Sequence, residues 1–280
     1  MIKIVIDSAS DISKEEAQKM GVTMLPMLIS FGEEDYLDGE TLLPNEFYEK
    51  LIESDTMPKT SQITPYRFEE VFEELTKNGD EVIAITISSK LSGTYAAAKQ
   101  AAEKFGGLVR VVDSMNACIG ERLLCQYALR LIEGGHGLDE TVNELEKAKG
   151  KINVMAMLGT LEYLKKGGRI SSAVAFAGEL LALKPVVAVV EGEVKLIGKA
   201  TGSKAGNNLL NRLVKEKGID FSMPIGVVWS GMNDMLLQKY VKDSAVLWEG
   251  HTDKVPAYIL GASVGAHIGP GAIGVAFFEK

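Results

Sequence analysis

The sequence predicts an α/β protein, with an N-terminal parallel-sheet α/β domain over residues 1–150 and a C-terminal α+β domain over residues 151–280. Three observations carry this reading. Short apolar runs alternate with helix-length segments through the first half, the rhythm of a parallel sheet covered by helices. Three of those runs end in similar chemistry, at Asp7-Ser8, Ser88-Ser89 and Asp113-Ser114, and binding sites in such sheets lie beyond the carboxyl ends of the strands. The pattern changes after Asn153, where Val186–Val190 and Val194–Lys199 flank Glu191-Gly192-Glu193 as a β-hairpin.

Taken in order, Lys3–Ile6 is a strand, followed by Asp7-Ser8-Ala9-Ser10-Asp11 and a helix from Lys14. Thr23–Phe31 reads as one extended run rich in Met and Leu. Asn45–Ser54 and Tyr66–Asn78 have helical spacing. Strand Val82–Ile87 stops in a hydroxyl-rich turn, and helix Tyr95–Lys104 follows. Val109–Val112 is the next strand, and Ala117–Glu133 a long helix. Gly134-Gly135-His136-Gly137 breaks the chain before helix Leu138–Lys149. Pro224–Trp229 and Ala272–Phe278 add strands to the second half.

Composition narrows the function. The 280 residues carry a net charge of −8, which disfavours nucleic acid and anionic membrane surfaces as partners. Met1–Asp7 is strand-like and lacks the apolar core of a signal peptide. The nearest approach to a membrane span, Ala173–Val190, is interrupted by Glu179, Lys184 and Pro185. The 2 cysteines, Cys118 and Cys125, fall on one predicted helix seven apart and are poorly placed to pair. No zinc spacing occurs. The expectation is a cytoplasmic protein without metal, cofactor or stable membrane insertion.

The richest stretch is Ser88-Ser89-Lys90-Leu91-Ser92-Gly93-Thr94. A strand–turn–helix here places the hydroxyls of Ser89, Ser92 and Thr94 beside the free N–H groups of a helix N-terminus, which favours anions. Ordinary N-capping explains the same residues. Thr60-Ser61-Gln62, before Pro65, is either a capping loop or a second hydroxyl cluster facing the first. The helix ending in Lys165-Lys166-Gly167-Gly168 reads as a glycine cap with cations on the dipole, which leaves Arg169 unexplained. Val264–Gly274 packs four glycines around His267, without dinucleotide or Walker spacing. His136 and His251 sit in polar turns. The 11 methionines, Met20, Met24, Met27, Met155 and Met157 among them, read mainly as core filler, with a smaller share for lipid contact.

Together these stretches resemble the DegV family, bacterial fatty-acid-binding proteins that serve fatty acid kinase. The resemblance runs through Ile4–Ser8, Thr60-Ser61-Gln62, Ile87–Tyr95, Val112–Ser114, Leu161–Ile170, Lys184-Pro185 and His267–Ala272. It implies a DegV-like two-domain fold and a buried long-chain fatty acid. Its carboxylate would be held at Thr60, Ser61, Ser92 and Gly93, with His267 near the head group. Ser89, Thr94 and Arg169 are further candidates for head-group or partner contacts. The resemblance also implies a carrier without its own turnover, presenting the carboxylate to a kinase for acyl phosphate formation and phospholipid synthesis. One departure bears on docking. Where many members carry an Arg-rich stretch after the hairpin, this chain reads Lys199-Ala200-Thr201-Gly202-Ser203-Lys204.

The physics suits a carrier. Burying about fourteen methylenes at roughly 0.8 kcal/mol each gives on the order of 11 kcal/mol before ordering costs. A hydrogen bond to the charged head adds about 1.5–3 kcal/mol, so the tail dominates affinity and the hydroxyls set register. The alternative is a stand-alone phosphotransfer or hydrolase enzyme using Asp7, Asp113 and His267. A lipid-responsive regulator is a third reading.

Overall fold

The computed structural model describes residues 1–170, 183–252 and 254–280. Residues 171–182, which include most of the interrupted apolar run, lie outside the described residues.

The first sheet contains β1 (Ile2–Asp7), β2 (Val22–Leu25), β6 (Glu81–Thr86) and β7 (Val109–Asp113), all parallel in the order β2-β1-β6-β7. β1 and β6 are central and almost wholly buried, which is why they read as continuous apolar runs and not as alternating ones. Between β1 and β2 lies α1 (Lys14–Met20), started by a Ser13–Glu16 capping box and stopped by Gly21 at φ 69°.

A second, three-stranded antiparallel sheet was not legible in the sequence. It comprises β3 (Leu28–Phe31), β4 (Glu34–Leu37) and β5 (Lys59–Ser61), in the order β4-β3-β5. The predicted single run Thr23–Phe31 is therefore two strands in two sheets. Pro26 separates them, since it has no N–H to continue a ladder. Helix α2 (Pro44–Glu53) covers this sheet, and Phe47 and Tyr48 pack with Ile29 and Phe31.

Helices α3 (Pro65–Thr76) and α4 (Thr94–Ala102) flank β6. After β7 come α5 (Ile119–Glu133) and α6 (Leu138–Ala148). Cys118 precedes α5 at φ 49° instead of lying inside it, and both thiols are free and buried. His136 and His251 are exposed, the latter stacked on Phe221 at 4.1 Å.

The third sheet, of six strands, begins at β8 (Ile152–Met157). It continues through β9 (Leu183–Val190), β10 (Glu193–Thr201), β11 (Ile225–Trp229), β12 (Ala257–Ile259) and β13 (Ile273–Phe278), in the order β10-β9-β8-β13-β11-β12. Only the β11–β12 pair is parallel. Glu191 and Gly192, at φ 53° and 82°, form the two-residue turn of the β9–β10 hairpin. The short α7 (Glu162–Lys166) follows β8, α8 (Ser203–Lys217) and α9 (Met235–Asp243) flank β11, and α10 (Ala262–Ile268) leads into β13. The fold is thus mixed α/β, with a parallel-sheet part and a mostly antiparallel part. α5 joins them, and Tyr127 meets Phe278 edge-to-face at 5.8 Å. No helix among the described residues is long and apolar enough to cross a membrane.

Candidate functional site

The loop after β6 is held by carboxylates at the ends of neighbouring strands. Asp7 is fully buried and accepts from Ala9 N at 3.0 Å and Ile87 N at 2.8 Å. Burial pushes its carboxyl up to about 7, against those two bonds. Asp113 Oδ1 accepts from Ser89 N at 3.2 Å and Met115 N at 2.8 Å. Both groups are occupied with backbone, as buried loop N–H groups require. Ser88 Oγ donates to Gly192 O at 2.8 Å, tying the loop to the hairpin turn.

These ties orient the hydroxyls. Ser92 Oγ lies 2.9 Å from Thr94 Oγ1 and accepts from Thr94 N at 3.3 Å. Thr94 is buried, and its hydroxyl also accepts from Ile63 N at 3.4 Å. Gly93 is required by a close approach, because a Cβ there would lie 1.8 Å from Gln62 Oε1.

Thr60 and Ser61 sit on β5, where Thr60 pairs with Ile29. Thr60 Oγ1 is 2.9 Å from His267 Nε2. His267 occupies the last turn of α10, whose start is fixed from the other end of the chain. Asp38 accepts from Ala262 N at 2.9 Å and Ser263 N at 3.1 Å, and Asp11 accepts from Gly261 N at 2.8 Å. Burial first, then the nearby Arg169 charge, lowers the imidazole from 6.5 to about 4, so the ring is neutral at pH 7. Its Nδ1 is buried without a partner among the described residues, against Gly167, where a Cβ would come within 2.2 Å. Arg169 bridges the two loops, donating from Nε to Leu91 O at 3.2 Å and from Nη1 to Gly167 O at 2.7 Å. The residue that a glycine cap left unexplained thus pins α7 to the hydroxyl loop.

These groups border one cavity of about 960 Å³ of atom-free space, solvent at its mouth included. One end is polar, with Thr60, Ser61, Gln62, Ser92, Arg169 and His267. Its floor is one face of the six-stranded sheet. Val187, Ala156, Gly274 and Val228 stand side by side across four strands and all line it. The two central residues are the smallest, which leaves room above them. Ile87, Ala117, Met27 and Val264, from outside that sheet, and Leu260, next to β12, also line the cavity.

Of the residues singled out from sequence, Thr60, Ser61, Ser92, His267 and Arg169 line this cavity. Gly93 and Thr94 stand behind it, supporting Gln62 and Ser92. Ser89 is exposed and does not border it, and neither do Asp7 and Asp113. The enzyme alternative therefore lacks a shared surface for its three groups. Among the described residues, no three His, Cys, Asp or Glu are grouped to hold a metal ion. Met27 lines the cavity, whereas Met155 and Met157 fill the core on the far face of the sheet. The sequence offers Gln62 only as part of the Thr60-Ser61-Gln62 stretch and not as a site residue, and it does not indicate the floor. Gln62 had a signal in its place beside Thr60-Ser61.

The family model described as "Uncharacterised protein, DegV family" matches residues 1–280. A DegV domain-containing protein of Caldanaerobacter subterraneus is 33% identical over 281 residues, spanning 100% of this chain and 99% of the relative. One of Clostridium perfringens is 34% identical over 286 residues, spanning 100% and 99%. Among solved structures, a DegV family protein from Thermus thermophilus, described for its fatty acid binding, superposes with a TM-score of 0.89 at 33% identity, covering 100% and 99% of the two chains. A stearic acid-binding protein from Eubacterium ventriosum superposes with a TM-score of 0.86 at 27% identity, with the same coverage.

Proposed function

The chain belongs to the DegV family, and on that premise we propose that its cavity holds a long-chain fatty acid for delivery to a fatty acid kinase. The observation that carries this is the polarity of the cavity. The apolar lining runs to one end where hydroxyls, a neutral imidazole and Arg169 gather. The acyl chain lies over Ala156 and Gly274, and the carboxylate accepts hydrogen bonds at Thr60, Ser61 and Ser92. Fatty acid binding by the Thermus thermophilus and Eubacterium ventriosum proteins supports the same reading.

Hydroxyls suit a carboxylate that must still react. They hold it without a tight ion pair, so one oxygen keeps a lone pair for attack. In the kinase complex that oxygen forms a bond to the terminal phosphorus of ATP, the bond from that phosphorus to the bridging oxygen breaks, and ADP leaves with the electron pair. The products are an acyl phosphate and ADP, and the acyl phosphate feeds phospholipid synthesis. In this reading the chain is a cytoplasmic carrier, not itself an enzyme, and its cofactor-like component is the lipid alone. The stretch Lys199-Ala200-Thr201-Gly202-Ser203-Lys204 lacks the arginines of Arg-rich members, so docking on a kinase that reads those arginines is not carried over to this chain.

The test is fatty acid affinity of a Thr60→Ala, Ser92→Ala double variant by displacement of a fluorescent fatty acid. Each lost bond to a charged group removes about 1.5–3 kcal/mol. A variant that keeps full affinity and full acyl phosphate formation would show the site to be wrongly assigned.

A further inference from the structure

The cavity lining carries one hydroxyl away from its polar end. His267, Val264, Ser263 and Leu260 all border the cavity. Residues three, four and seven positions apart share one side of a helix, so α10 and the turn before it run along the cavity. His267 stands at the polar end, and Leu260 is the most distant of the four. Ser263 lies four residues before His267, about 6 Å back along the helix axis. Among the described residues, the other polar side chains of the lining are those of the polar end and the Cys118 thiol. Burial pushes that thiol up, so it stays protonated and packs as a small apolar group.

The bonds of Ser263 leave its oxygen an open acceptor position. Ser263 Oγ donates its single hydrogen to Asp38 Oδ2, which also accepts from Ser263 N at 3.1 Å. Ser8 Oγ lies 3.1 Å from Ser263 Oγ and is held by Met27 N, which donates to it at 3.0 Å. The Ser8 hydrogen reaches either Ser263 Oγ or the Asp38 carboxylate. A serine oxygen has two lone pairs, so in both arrangements Ser263 keeps at least one. The N–H groups at the start of α10 are already taken by Asp11 and Asp38, so the helix end itself has nothing to offer a ligand. What remains is an acceptor in an apolar wall, and it calls for a donor that an unsubstituted acyl chain lacks.

We propose that the cavity favours acyl chains hydroxylated close to the carboxylate, the β-hydroxy fatty acids, with the ligand hydroxyl donating to Ser263 Oγ. The inference rests on the fatty acid reading above and narrows its ligand class. With the carboxylate at Thr60, Ser61 and Ser92, beside His267, one helical turn is spanned by the reach to the β-hydroxyl and a hydrogen bond of about 2.8 Å. A keto oxygen at the same carbon would set an acceptor against an acceptor, so the hydroxyl is selected over it. Ser263 stands on one side of the chain. Only one enantiomer can therefore direct its hydroxyl to Ser263, and the other buries it among apolar side chains.

The test uses the full chain, with palmitate and the two enantiomers of β-hydroxypalmitate as competitors of a fluorescent fatty acid. One enantiomer should bind at least as tightly as palmitate. The other should bind about tenfold more weakly, since its hydroxyl is desolvated without a partner. Ser263→Ala removes the acceptor, while Ser8 remains within reach of Asp38 as a hydroxyl donor. In that variant the enantiomers should differ by less than about twofold, and palmitate binding reports that the site is folded. If the alanine variant does not fold, Ser263→Cys, whose sulfur is a weak acceptor, should narrow the gap in the same way. Two enantiomers that bind the native chain alike, or both more weakly than palmitate, would overturn the role of Ser263 while leaving fatty acid binding intact. A gap that survives the substitution would overturn it too. Absence of binding by palmitate and by both enantiomers would overturn the fatty acid reading as well.

Discussion

The two sides of the cavity are built on opposite principles. The side at the strand ends is polar backbone, fixed by buried carboxylates: Asp7 on Ile87 N, Asp113 on Ser89 N, and Asp38 on Ala262 N and Ser263 N. The side formed by the six-stranded sheet is a bare apolar face of Val187, Ala156, Gly274 and Val228. The first can specify where a head group sits, because its donors are held in place. The second can supply most of the affinity, because burial there is non-directional and scales with area. Position and affinity are thereby separable, and substitutions on one side should leave the other's contribution intact.

The sharpest break is expected at Asp38. Asp38→Ala leaves two N–H groups and the Ser263 hydroxyl of a buried helix start without their acceptor. The expected loss is about 3 kcal/mol of folding stability, read from the urea midpoint at constant slope. Fatty acid affinity should fall only through the loss of folded protein and through displacement of His267. An unchanged midpoint would remove Asp38 from the scaffold.

A smaller effect, confined to the other side, is expected at the floor. Ala156→Leu adds three carbons to the floor of the cavity and displaces about three methylenes of ligand. At about 0.8 kcal/mol each, a sixteen-carbon acid should bind roughly fiftyfold more weakly, and a twelve-carbon acid should be nearly unaffected. Unchanged affinity for the sixteen-carbon acid would mean that the chain does not lie over this residue, and equal losses for both would mean that it crosses Ala156 within its first twelve carbons.

The pH dependence of stability sharpens the contrast further. His267 titrates near 4 in the folded protein, below its ordinary 6.5. The unfolded chain therefore takes up the proton more readily between those values. Stability from this group is fully present above pH 6.5 and is lost as pH falls toward 4. Asp7 acts in the opposite sense, since its raised folded value makes its contribution decline as pH rises toward 7. Comparison with His267→Gln isolates the histidine: the native chain should lose more stability between pH 6.5 and 4 than the variant does. Parallel curves would contradict a buried neutral imidazole.

Much of the strand-end side was legible in the sequence, because its chemistry is local. Ser88–Thr94 announces a turn and a capped helix within seven residues, and the apolar runs of β1 and β6 announce a buried parallel sheet. Thr60 and Ser61 were recognised as residues but not as strand. Three residues give no periodicity, and the partner strand lay hidden in the run that Pro26 divides. The floor was illegible for another reason. Along β8, both Val154/Ala156 and Met155/Met157 are apolar, so alternation cannot say which face borders a cavity and which a packed core. Asp38 pairs across 224 positions with α10, a contact no local pattern encodes.

The central claim, that the apolar cavity holds a long-chain fatty acid, is tested most directly by mass spectrometry of the purified protein, native and then denatured with solvent extraction. The account predicts a bound species that leaves on denaturation and fragments as a fatty acid, whose mass gives the chain length. A clean apo mass, with no uptake of added palmitate or oleate, would contradict it.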